Sequence, residues 1–156
     1  MKLSAQKLQQ GFTLIELLVV IGILAVLLSI TLIAINPARQ FAQANDTKRA
    51  SDVNAILNAI GQYAADNKGD MTALNIPSGA TAGVISSTDV NLCASLVTQY
   101  LAALPVDPLT AGGAPVSDCT QVYDTNYTVV RNVPDNRTTV CAPATEISAT
   151  DICVTR

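Results

Sequence analysis

The chain has 156 residues, enough for one modest globular domain and an extended element. Charged residues make up 13% of it and hydrophobic residues 49%, whereas soluble domains usually carry about 25% charged residues. This deficit indicates a membrane segment. The sequence has no His, which excludes a Ser-His or Cys-His nucleophile pair and removes the commonest metal ligand. Residues 71–156 contain three basic and seven acidic residues, and this negative net charge argues against nucleic-acid binding. We therefore expect no catalytic residue, metal, cofactor or nucleic-acid partner.

The membrane segment is predicted at residues 12–35, where Glu16 is the one charged residue. A helix of that length spans about 36 Å, more than a hydrocarbon core of about 30 Å. Lys2 and Lys7 precede it and an acidic domain follows, so we expect the N-terminus to stay in the cytoplasm. An ordinary signal peptide has a shorter apolar core with its cleavage site after it, whereas here the small residue Gly11 comes before the run.

The helical pattern continues past the membrane segment to about Gly69. Asn36-Pro37 disfavours an unbroken helix, but an apolar stripe then recurs every three or four residues, at Val53, Ile56, Leu57, Ile60 and Ala64. Polar residues are expected on the opposite side, at Asp46, Lys48, Arg49 and Asp52. We predict one helix of more than fifty residues, kinked near Pro37, with an amphipathic second half. A coiled coil is the rival interpretation, but the apolar pattern is too short for several heptads.

The remainder, residues 70–156, is predicted to be a globular head. Residues 71–88 have the composition of a loop, and a second short helix is expected over 89–103. Residues 127–131 and 137–141 flank a turn sequence and predict a hairpin, with a last strand at 152–156. The predicted fold class is therefore α+β, with the long helix packed on a small antiparallel sheet.

Four cysteines, Cys93, Cys119, Cys141 and Cys153, all lie in this head. None forms a CxxC pair and their spacing is poor for zinc. An even number in one region favours two disulfides in an oxidising compartment; four buried free thiols are the alternative. Three pairings are possible.

The most informative stretch is Gln10-Gly11-Phe12-Thr13-Leu14-Ile15-Glu16, which opens the apolar run. It resembles the class III signal of type IV pilins and type II secretion pseudopilins. The resemblance implies that a prepilin peptidase cuts between Gly11 and Phe12 and then N-methylates Phe12. It also implies a domain plan of leader peptide (1–11), transmembrane and polymerisation helix (12–35), amphipathic continuation (36–69) and pilin head (70–156).

Glu16 is the residue expected to act in assembly. An ionisable group in a membrane helix is costly and normally has a specific partner, and no basic residue lies within this segment. After cleavage, the α-amine of a neighbouring subunit's Phe12 would serve, and such a buried pair would set the axial register. The alternative is that Glu16 only reaches to the cytoplasmic headgroups.

The resemblance implies a structural subunit of a type IV pilus-like filament that polymerises with itself. Its expected partners are the prepilin peptidase and methyltransferase, an inner-membrane assembly platform, a motor ATPase and, before assembly, membrane lipid. The subunit would begin in the cytoplasmic membrane and end in an extracellular or periplasmic filament. A membrane-anchored enzyme and a DNA-binding competence pilin are the rival classes, and the missing His and the acidic head speak against them.

The major pseudopilin of a type II secretion system is the main alternative. The segment Leu104-Pro105-Val106-Asp107-Pro108 looks like the LPxDP segment of that protein. Leu109 stands where that family usually has Trp, and no calcium-binding loop is evident. The acids at Asp118, Asp124 and Asp135 are scattered, so we do not expect a calcium site.

Pilin heads often carry a C-terminal disulfide loop, and the resemblance implies that Cys141–Cys153 forms one. With it we favour Cys93–Cys119. The first bridge would tie the outer hairpin strand to the last strand. The second would tie the short helix to the turn-rich connection before the sheet.

Overall fold

The computed structural model describes residues 11–133 and 135–156 of the chain. The chain divides into two compact units, one ending at Gln40 and the other spanning Phe41–Arg156. The predicted leader, apart from Gly11, and its two lysines lie outside the described residues.

The first unit is dominated by helix α1 (Leu14–Ile35), which has 22 residues and buries none of them. Its mean hydropathy is 3.1, and by length and composition it is able to cross a membrane. Its two hydroxyl side chains are satisfied within the helix, because Ser29 Oγ donates to the Ala25 carbonyl and Thr31 Oγ1 to that of Leu28. No side-chain hydroxyl of α1 therefore needs an external partner in an apolar medium.

The predicted single helix is interrupted at Asn36, so the expectation of one kinked helix was wrong in this respect. Asn36 adopts the left-handed conformation (φ 48°, ψ 79°), and a second helix, α2 (Pro37–Asp66), begins directly after it. Proline disfavours a helical residue before it, and asparagine tolerates positive φ. The Asn36 carbonyl then accepts a hydrogen bond from the Arg39 N–H (3.2 Å), which starts the new helix.

Helix α2 ends at Asp66, three residues before the predicted stop at Gly69. The N–H of Gly69 donates to the Ala64 carbonyl (2.7 Å), and Lys68 and Gly69 both have positive φ. This closes the last turn in the manner of a glycine C-cap.

The second unit contains a four-stranded sheet in the order β1-β2-β3-β4, with every neighbouring pair antiparallel. The strands are β1 (Gly83–Ser86), β2 (Asp124–Arg131), β3 (Thr138–Ala142) and β4 (Ile152–Thr155). The three predicted strands are confirmed. Strand β1 lies in the segment predicted as loop, because it is only four residues long and is defined by pairing with β2, about 40 residues away.

The second short helix is much shorter than predicted. Helix α3 (Cys93–Leu96) has four residues, whereas 89–103 was expected. It ends because Val97 is extended and Thr98 has a φ of 74°, which no helix accommodates. Short 3₁₀ turns are present at Thr72–Leu74 and Ala111–Gly113.

The core lies between α2 and the sheet, as predicted. The α2 stripe is buried at Val53, Ile56, Leu57 and Ile60, and Ala64 is partly buried. Opposite it are buried side chains of the sheet and of the segment around α3: Ile85, Leu92, Leu96, Tyr127, Val129 and Val140. Burial of this apolar surface is the main favourable term for the head.

Candidate processing and assembly site

A reciprocal hydrogen-bond pair opens α1 and occupies both polar residues of the N-terminal motif. The Glu16 N–H donates to Thr13 Oγ1 (3.3 Å), while the Thr13 N–H and Oγ1 donate to Glu16 Oε2 (2.9 and 2.7 Å). This is a capping box, in which residues three apart satisfy the free N–H groups of a helix start. Among the described residues, Glu16 Oε1 has no hydrogen-bond donor.

The two residues before this cap are fully accessible. The Phe12 side chain is 87% exposed. A Cβ added at Gly11 would meet no described atom within 4 Å, and the φ of Gly11 lies outside the left-handed region. The fold of the described residues therefore supplies no packing or conformational reason for glycine at position 11.

A buried cluster of charged residues organises the second unit. The Arg49 side chain is fully buried, and its Nε and Nη2 donate to Asp107 Oδ2 (2.6 Å) and Oδ1 (3.2 Å). Its Nη1 donates to Asp46 Oδ1 (2.8 Å) and Glu146 Oε2 (3.0 Å). These hydrogen bonds, led by those to Asp107, outweigh the effect of desolvation and raise the pKa of Arg49. The guanidinium therefore joins α2 to two loops.

Asp46 fixes the loop that connects β3 to β4. Its carboxylate accepts hydrogen bonds from the backbone N–H groups of Glu146 (3.0 Å), Ile147 (2.9 Å) and Ser148 (3.4 Å). Partial desolvation raises the pKa of Asp46, but these donors and Arg49 together lower it to about 2. Three consecutive amides bound to one carboxylate hold this loop on α2.

Asp107 gives the LPVDP segment a structural role. It is 1% exposed, and besides pairing with Arg49 its Oδ1 accepts the Leu109 N–H (2.9 Å). By contrast, Asp118 and Asp124 accept hydrogen bonds from backbone N–H groups two residues later, those of Thr120 in a loop and Asn126 in β2. No cluster of acidic or sulfur side chains suited to a metal ion occurs in the part of the chain that the structure describes.

Arg49 was predicted on the exposed polar side of the helix, and this was wrong. It lies four residues before Val53 and so falls on the buried stripe of α2. That spacing, together with an acidic residue, Asp46, three residues earlier, was the sequence signal that could have predicted a buried, paired Arg49. The partners Asp107 and Glu146, 58 and 97 residues away, give no local sign in the sequence.

Two disulfides join Cys93 to Cys119 and Cys141 to Cys153, the two pairs favoured from the sequence. The Cα atoms lie 5.5 and 4.1 Å apart. The first bridge ties α3 to the loop before β2. The second links directly opposed residues of β3 and β4, and so closes the loop that Asp46 holds.

Comparison with known proteins identifies the N-terminal stretch. Residues 6–32 match the family described as the prokaryotic N-terminal methylation motif. A fimbrial protein of Neisseria meningitidis serogroup A is 44% identical over 84 residues, which cover 53% of this chain and 45% of that protein. The chain thus spans about half the length of this curated relative. No solved structure is significantly similar to the chain.

The matched motif contains Gly11, Phe12, Thr13 and Glu16 and most of α1. The rest of the chain has the expected combination of a second helix and a small antiparallel sheet. The chain therefore carries a prepilin-type N-terminal methylation motif on a pilin-like α+β architecture.

Proposed function

We propose that the chain is a structural subunit of a type IV pilus-like filament, made as a membrane prepilin and polymerised through α1. The observation that carries this proposal is a 22-residue helix that is apolar all round, buries no residue, and opens with the methylation motif. Such a helix needs an apolar environment on every side. Lipid would supply it before assembly, and copies of α1 would supply it in the filament.

Processing is proposed to occur between Gly11 and Phe12, with methylation of the new Phe12 amine by the same peptidase. Both residues are exposed, and a glycine allows close approach to the backbone. The inner-membrane platform and motor ATPase common to such systems are the proposed assembly partners. We place the N-terminus in the cytoplasm, which puts both disulfides on the oxidising side.

Glu16 is proposed to receive the Phe12 amine of a neighbouring subunit. Thr13 occupies only Oε2, which leaves Oε1 available to a second donor. The capping role and the assembly role of Glu16 make different demands. The cap needs an acceptor oxygen, whereas an amine partner in an apolar bundle needs a negative charge.

Two matched variants separate these roles. Glu16→Gln keeps an oxygen that accepts the Thr13 N–H but removes the charge, and we expect insertion and cleavage without filaments. Thr13→Val removes the hydroxyl of the cap but keeps the charge, and we expect filaments by electron microscopy of sheared cells. Filaments of normal number and length from Glu16→Gln would contradict the charge partnership.

The LPVDP segment favours a second candidate, the major pseudopilin of a secretion system. Deleting the gene distinguishes the two machines. Loss of surface filaments with normal export supports a pilus subunit. Retention of exported proteins in the periplasm, with no change at the cell surface, supports a pseudopilin.

A further inference from the structure

A groove of about 190 Å³ lies in the second unit, beside the last turns of α2. Leu57, Ile60, Ala64 and Met71 supply its apolar walls, and the polar residues Asn136 and Thr138 also line it. Arg156, at the end of β4, stands at its rim and contacts the side chain of Asn58. The groove is therefore mostly apolar, with two uncharged polar residues and one guanidinium among its lining.

Gly61 lines this groove from the interior of α2. Glycine inside a helix is less stable than alanine because it loses more backbone freedom on folding. A Cβ added at Gly61 would meet no described atom within 4 Å, and the φ of Gly61 is ordinary for a helix. The described residues of the monomer thus supply no reason for this glycine. An occupant that enters the groove from outside would supply one.

Ile147 has the properties of such an occupant. Its side chain is 44% exposed, while its backbone is held through the three N–H groups that Asp46 accepts. A single exposed apolar side chain is ordinary on a protein surface, but this one stands on a backbone segment that hydrogen bonds hold in place. The loop that carries Ile147 is held by Asp46, which pairs with the buried Arg49. Buried ion pairs of this kind fix geometry more than they add stability.

Charge favours the same pairing. Three carboxylates, Asp46, Asp107 and Glu146, surround the one guanidinium of Arg49 and leave a local excess of negative charge. The side chain of Glu146, directly before Ile147, is 29% exposed. Among the exposed large apolar residues described in the second unit, Ile147 is the one with an acidic neighbour in sequence. The carboxylate of Glu146 is opposite in charge to the guanidinium of Arg156, which lines the groove.

We propose that Ile147 of one subunit enters the groove at Gly61 of the next subunit. This inference rests on the proposed filament, because the occupant is a second copy of the chain. Ile147 is held at residue 46 of α2, whereas the groove lies at residues 57–64, which is at least about 16 Å farther along the helix. The two surfaces differ, so the contact is heterologous and repeats from copy to copy without closing a dimer.

Disulfide trapping tests the contact directly. The four native cysteines are all bridged, so the variant Gly61→Cys with Ile147→Cys introduces the only free thiols. Sheared filaments of this variant are oxidised with copper phenanthroline and run on a non-reducing gel. We expect a ladder of covalent multimers, because disulfide formation requires Cα atoms within about 7 Å. The controls are each single variant and Gly61→Cys with Val122→Cys, which uses a side chain that is 88% exposed.

The possible results separate the two proposals. Wild-type cells without filaments would overturn the filament proposal and this contact with it. Filaments that give only monomers or only dimers, or a ladder from the Val122 control, would overturn the contact alone.

A second variant covers the case in which the double cysteine chain does not assemble. Gly61→Leu should raise the thermal midpoint of the head and lower the yield of sheared filaments about tenfold, the effect of losing about 1.4 kcal/mol of contact energy. An unchanged filament yield from Gly61→Leu would also overturn the contact.

Discussion

Arg49 and Asp107, 58 residues apart in the sequence, form a two-point ion pair with N–O distances of 2.6 and 3.2 Å, and both side chains are buried. This pair connects α2 to the LPVDP segment. Asp46 and Glu146 complete the coordination of the guanidinium and connect it to the β3–β4 loop. The head is therefore fixed by one charged centre in addition to its apolar core and its two disulfides.

Removing the guanidinium should destabilise the head strongly. Arg49→Leu leaves three carboxylates facing each other without their cation, and breaking a buried pair in this way costs about 3–5 kcal/mol of the free energy of unfolding. The matched control is Lys48→Ala, on the next residue, whose pair with Asp52 is 45% exposed on the lysine side and should cost less than about 1 kcal/mol. Denaturant unfolding of the full chain in detergent measures both. Equal losses for the two variants would contradict the central role of Arg49.

Acid should release the β3–β4 loop through Asp46. The pKa of Asp46 falls from 3.8 to about 2 on folding, so its contribution is complete above about pH 4 and is lost as the pH falls towards 2. The thermal midpoint of the wild-type head should therefore decline over this interval. The difference between wild type and Asp46→Asn, which accepts fewer hydrogen bonds and carries no charge, should shrink as the pH falls. A difference that stays constant from pH 6 to pH 2 would contradict this assignment.

The Cys141–Cys153 bridge and Asp46 should be energetically coupled, because both hold the same loop. Replacing both cysteines by serine should cost about 3 kcal/mol in the chain-entropy account. When the double serine replacement is combined with Asp46→Ala, the loss in free energy of unfolding should differ from the sum of the losses of the two separate variants. The Cys93–Cys119 bridge, which closes another loop, should add independently. Equal coupling of Asp46 to the two bridges would contradict a joint role of Asp46 and Cys141–Cys153 in holding the β3–β4 loop.

The sequence was sufficient to predict those elements whose structure is determined by a local pattern of residues. The apolar run predicts α1, and the three- and four-residue spacing from Val53 to Ile60 predicts the buried face of α2. Two short segments on either side of a turn sequence predict β2 and β3. In each case the hydrophobic period is set within one element.

Some of the features that were missed depend on partners far away in the chain, and others on the local backbone conformation of one or two residues. Strand β1 exists through its pairing with β2, and α3 is cut short by the extended and left-handed residues Val97 and Thr98. Burial of Arg49 requires Asp107 and Glu146 to arrive from two loops. Asn36 breaks the long helix through a local rule, the conflict between a helical residue and the proline after it.

The mature N-terminus tests the central claim most directly. We expect intact-mass and N-terminal peptide spectra of the membrane-derived protein to start at Phe12 and to carry one methyl group. Gly11→Val should accumulate as uncleaved precursor. The same change at Gly22, where an added Cβ also meets no described atom within 4 Å, should leave cleavage intact. A wild-type protein that starts at Met1, or at a residue beyond Ile35, would contradict the account of a processed prepilin that assembles through α1.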